Sequence, residues 1–236
     1  MSRKKAIFAT IMGISDIMEG VQGTAEWGDS LANCILISLT AVLFILYMSR
    51  LLALLPFLGG GLTRWNDLAN IEDSMGRTRD RNALAAISVL AIGLLASRYC
   101  LYYPRFIRGM EPGVRSLVTI GVITAVLLLR AALVHACVPR RGGRDNYLLS
   151  QRTLYDFVII WALGGGATAG TLYIFRANIL TVRVVMLVCA GLLWLIFLVR
   201  RTQILRNSCS QFTAILYLCT LELIPAALIV VSALVF

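Results

Sequence analysis

Apolar residues fill long runs separated by short basic stretches, and this pattern sets the fold class. Six runs reach or approach the ~20 residues an α-helix needs to cross a bilayer. They cover about 31–48, 83–103, 114–138, 154–175, 179–199 and 212–236. No alternating strand pattern occurs, which argues against a barrel. The expectation is an all-α, polytopic transmembrane bundle in which residues 31–236 form one six-span domain. Residues 1–30 read differently. A basic start (Arg3, Lys4, Lys5) precedes Ile7, Ile11, Ile14 and Met18 at helical spacing, and Asp16 interrupts the apolar stretch. That favours an interfacial amphipathic helix over a signal peptide, with Asp29-Ser30 placed to cap the first span.

Interruptions refine this outline. The first run continues through Leu51–Leu58, longer than one crossing requires, so a break or interfacial segment is expected near Pro56. Residues 62–82, with mixed charge, read as a surface helix or loop. Tyr99, Tyr102 and Tyr103 suggest an aromatic belt at headgroup level. In the fourth run, Gly164-Gly165-Gly166 and Gly170 fit either close helix packing or an unwound mid-membrane segment. Asp156 has Arg152 one turn away as a partner.

The last run is the most informative, because it places Glu222 inside an apolar helix and Pro225 one turn later. An ionisable side chain at the bilayer centre costs at least ~2.5 kcal/mol unless it finds a partner or water. Pro225 removes a backbone N–H and crowds the carbonyl four residues back, so a bend is expected there. Arg130 lies well inside the third run. Counted from a common membrane face at ~1.5 Å per residue, Arg130, Glu222 and Gly164 fall at one depth. The expectation is that Arg130 and Glu222 meet in the bundle interior, as a structural pair or as a switchable site where a proton or anion competes for one member.

Composition agrees with the membrane reading: 59% of residues are hydrophobic and the mean hydropathy is +0.82. The formal charge is +10, yet the basic residues sit mostly at the ends of apolar runs. Arg140, Arg141, Arg144, Arg200 and Arg201 therefore read as contacts to anionic lipid headgroups rather than to nucleic acid. Twelve basic residues flank one side of the bundle and nine the other. The excess favours both termini outside, while the basic N-terminus argues the reverse. The six cysteines form no CxxC pair and His135 is the lone histidine, so neither a metal nor another cofactor is expected. No GxSxG elbow, P-loop or zinc motif suggests an enzyme.

Residues Leu216-Tyr217-Leu218-Cys219-Thr220-Leu221-Glu222-Leu223-Ile224-Pro225 resemble the C-terminal motif of a Bacteroidota inner-membrane family, domain of unknown function 4271. The likeness extends over most of 31–236, including the polar stretch Asn66–Asn82. The chain departs from it in Gly164-Gly165-Gly166 and in ending at Phe236 without a basic tail. The resemblance implies a multi-pass protein of the cytoplasmic membrane and supplies no activity. The resulting expectation is a non-catalytic subunit of an envelope assembly or secretion complex, partnered by a membrane protein or by a second copy. The alternative is a small proton-coupled transporter of an anionic small molecule or lipid.

Overall fold

The structure, a computed structural model, describes residues 27–63, 75–107, 109–137, 144–206 and 218–235. The interfacial segment expected within 1–30 therefore lies almost wholly outside the described residues. Those residues form helices α1 (Leu31–Leu46), α2 (Met48–Thr63), α3 (Met75–Arg98), α4 (Pro112–Cys137), α5 (Arg144–Ile174), α6 (Ile179–Arg206) and α7 (Ile224–Val235). A short 3₁₀ turn, Arg105–Ile107, precedes α4, and a π-helical turn, Cys219–Leu223, leads into α7. The described chain is all-α.

Among the described residues, four helices are long and apolar enough to cross a membrane, within Gly76–Arg98, Pro112–Val134, Arg152–Ile174 and Ile179–Ile204. The pair α1 and α2 makes a fifth if counted as one broken span, bent by 74°. The protein is a multi-pass membrane protein. Its final helix, α7, is apolar over Ile224–Val235, and residues 207–217, which begin the expected sixth run, lie outside the described residues.

Helix α3 is the hub, packed against α1, α2, α4 and α5, with α5 packed in turn on α6. Because lipid tails are as apolar as leucine, such contacts depend on close approach rather than on escape from water. Two glycines provide it. A Cβ on Gly93 would collide with the side chain of Ile120 and lie 3.2 Å from its Cα; one on Gly113 would lie 2.7 Å from Ser30 Oγ and 2.8 Å from Ala32 Cβ. These positions set the α3–α4 and α1–α4 spacings.

The expected glycine contacts in α5 differ. The helix runs unbroken through Gly164-Gly165-Gly166, so the segment is not unwound. Gly165 has only ordinary contacts, with Leu95 and Met186 at 3.6 Å, and a Cβ on Gly164, Gly166 or Gly170 would meet nothing within 4 Å. Their effect is to hollow the sides of α5 rather than to seat a neighbour against it.

The break expected near Pro56 occurs at Tyr47, which leaves helical geometry at φ −96°, ψ 6°. Pro56 lies within α2. Turning at Tyr47 lays Leu51, Leu54 and Leu58 against Leu84, Ala85 and Ile159, a stripe at helical spacing that a straight extension of α1 would leave without this partner. Ser30 precedes α1 without a capping side-chain bond; instead Asn33 Nδ2 donates to the Trp27 carbonyl at 2.9 Å. Tyr99 and Tyr102 are buried rather than belted at the lipid surface, and the Tyr102 hydroxyl meets that of Ser232 on α7 at 3.0 Å. Helices α3 and α5 both end on non-glycine residues at positive φ, Cys100 and Arg176. Each is followed by a bond closing the helix, Leu101 N–H to Ala96 O and Ala177 N–H to Leu172 O. These are the long bonds of a Schellman end.

Candidate functional site

The π turn explains how Glu222 is presented. The N–H of Ile224 bonds to the carbonyl of Cys219, five residues back. The wider turn comes directly before Pro225, which cannot donate and would crowd a carbonyl four residues back in ordinary α geometry. The bend expected at Pro225 is thus taken up as an inserted residue on its N-terminal side. Pro225 itself is buried as the second residue of α7. The π turn packs against α4.

Arg130 on α4 meets Glu222 there. Its Nε donates to Glu222 Oε1 at 2.9 Å, and one terminal nitrogen donates to the same oxygen. Arg201 on α6 forms an ion pair with that oxygen as well. Arg130 and Glu222 are each 6% exposed and Arg201 is 0% exposed. One carboxylate therefore joins α4, α6 and the last helix.

The sequence pointed to Arg130 and Glu222 and missed Arg201. Arg201 does not contact headgroups as expected; it is buried against Glu222. Helix α6 continues to Arg206, past the expected end at residue 199, which carries Arg201 into the bundle. Its neighbour Arg200 is partly exposed and donates to Gln203 Oε1 at 2.8 Å. At ~100° per residue the two arginines point in different directions. Arg140, Arg141 and the side chain of Arg144 lie outside the described residues, as does the side chain of His135.

Arg130 lies toward the C-terminal end of α4 and Arg201 toward that of α6. By chain direction, both helices end at the same face. Gly164 takes no part in the cluster.

A second buried pair lies toward that face. Arg81 Nε and Asp156 Oδ1 are 3.9 Å apart, each side chain 1% exposed, and the Arg81 guanidinium lies 5.9 Å from the Tyr155 ring centroid. Arg81 was expected in a surface segment. It is buried because α3 begins at Met75 and draws the end of that segment into the bundle. Asp156 thereby bridges α5 to α3.

The opposite face holds a neutral polar knot. Trp27 Nε1 donates to Ser97 Oγ at 3.2 Å and to Ser116 Oγ at 3.1 Å, while the two hydroxyls lie 2.8 Å apart. The knot ties the start of α1 to the end of α3 and the start of α4. Beside it, Cys100 is buried, and burial pushes its thiol pKa up against the opposing pull of Arg115 and Arg183.

These arrangements bring buried charges and hydroxyls together across helix interfaces, where a membrane interior makes isolated polar groups costly. Comparison with known proteins adds no relative: no family model, curated protein or solved structure matches the chain.

Proposed function

We propose that this protein is a non-catalytic subunit of an envelope assembly or secretion complex in the bacterial cytoplasmic membrane, crossing it six times with residues 212–236 as the sixth span. The observation that carries this reading is the placement of Glu222. Its carboxylate is enclosed by two guanidinium groups from two other helices, which suits a clamp holding a rigid bundle. Arg81–Asp156 and Trp27–Ser97–Ser116 serve the remaining helices in the same way. The resemblance at Leu216–Pro225 points to the same membrane.

The test is purification of the full-length protein, tagged at its native level, in mild detergent. The expected result is a membrane protein co-purifying at fixed stoichiometry and remaining bound through a second sizing step. A protein isolated alone, which in proteoliposomes takes up an anion in step with protons, would overturn it.

A second reading has its own support, a proton-coupled carrier of an anionic small molecule or lipid. Glu222 lies between two cations, so its protonation would release both Arg130 and Arg201 toward an anion. Uptake abolished by Glu222→Gln in proteoliposomes is the expected sign of that activity; uptake unaffected by the substitution excludes this mechanism.

A further inference from the structure

A groove of about 480 Å³ runs between α1, α3 and α5, apart from the Glu222 cluster. Ile37, Ala41 and Phe44 form one wall and Ala91, Leu94 and Leu95 another, with Ala162, Leu163, Gly166 and Ala167 along the base. The lining polar group at depth is Thr40, whose hydroxyl is satisfied by the carbonyl of Leu36 at 2.7 Å. The buried Trp27 and the exposed Arg98 complete the lining. The groove is greasy along its length and cationic at one end.

Arg98 marks the polar end. It is exposed, with its guanidinium 5.4 Å from the Trp27 ring centroid and 5.7 Å from that of Tyr99. Those rings hold the side chain by cation–π attraction. Among the described residues it makes no hydrogen bond or ion pair. Its planar fork of N–H donors is thus oriented but unused, a geometry suited to phosphate. It stands at the end of α3, where the apolar window closes.

We propose that this groove binds a phospholipid, with one acyl chain along α1, α3 and α5 and its phosphate on Arg98. The helical rise from Ala91 to Arg98 is about 10 Å at ~1.5 Å per residue, which places the phosphate at one end of a chain segment lying parallel to the helices. Gly166 gives the groove its depth, since a Cβ there would project into open space.

The test is native mass spectrometry of the full-length protein, released from detergent and titrated with dipalmitoyl phosphatidylglycerol. One lipid is expected to remain bound. Arg98→Gln should weaken its binding at least tenfold and Gly166→Leu about fivefold. Gly191→Leu, at a glycine of α6 equally free of contacts, should leave it unchanged. Glycerophosphoglycerol, which carries the headgroup without chains, should not compete. A benzophenone amino acid in place of Ala167 should capture the lipid on illumination. Equal binding by all variants, equal weakening by Gly191→Leu, or full competition by the chainless headgroup would overturn the proposal. So would a crosslink from position 167 to another segment of this chain or to a second copy. If Arg98→Gln does not fold, Gly166→Leu and the crosslink decide the matter, because Gly166 makes no contact that its replacement would break.

Discussion

Arg201 and Glu222 form an ion pair across the interface between α6 and the π turn, while Arg200, one residue earlier, is partly exposed and donates to Gln203 on its own helix. The adjacent arginines should therefore respond differently to neutralisation. Arg201→Gln is expected to destabilise the protein by about 2 kcal/mol, the scale of a lost charge-assisted bond at a buried carboxylate. Arg200→Gln should stay within about 0.5 kcal/mol of the parent. Thermal unfolding of both variants in one detergent checks this.

This pair also shows what the sequence could and could not reveal. Arg130 and Glu222 stood out because each interrupts an apolar run, and their depths matched by counting from a shared face. Arg201 carried no such signal. A basic doublet at the end of an apolar run is the usual mark of headgroup anchoring, and nothing local distinguishes the inward arginine from the outward one. Only the continuation of α6 to Arg206 does so.

The Arg81–Asp156 pair makes a separate prediction. Both side chains are 1% exposed, so removing one charge takes a buried counter-ion from the other. Asp156→Asn is expected to cost about 3 kcal/mol. The exchange Arg81→Asp with Asp156→Arg should recover part of that loss. Unfolding measurements on the single and double variants test it, and an exchange no better than the single variant would separate Asp156 from Arg81. The sequence hid this pair because Arg81 belongs to a run of charges that composition alone assigns to a surface.

Glycines divide into two groups. Gly93→Ala should destabilise by about 1–3 kcal/mol, because the new methyl group collides with Ile120 and overpacking carries that order of cost. Pairing it with Ile120→Ala should restore part of the stability. Gly166→Ala meets nothing and should be neutral or stabilising by up to about 1 kcal/mol through helix propensity. The conspicuous glycine triplet was legible in the sequence but its role was not. The isolated Gly93 and Gly113 are the ones in close contact, and without its neighbour in view a glycine's environment cannot be read. The turn at Tyr47 follows the same logic: Pro56 is the visible breaker, yet the bend falls where it brings the Leu51, Leu54 and Leu58 stripe onto α3 and α5.

Cysteine reactivity gives a chemical check of the face carrying Trp27. Burial raises the Cys100 thiol pKa, so less of it is thiolate at any given pH. In single-cysteine variants at pH 8, N-ethylmaleimide should modify Cys100 much more slowly than Cys34, which is exposed. Mild denaturation should remove the difference.

The account depends on Arg130 and Glu222 holding each other inside the bundle. The direct measurement is a double-mutant cycle in thermal unfolding with Arg130→Gln, Glu222→Gln and the combination, in nanodiscs of fixed lipid composition. A coupling energy of about 1.5 kcal/mol or more between the two substitutions is predicted. Additivity within about 0.3–0.5 kcal/mol would mean that they do not interact, and would contradict the fold described here.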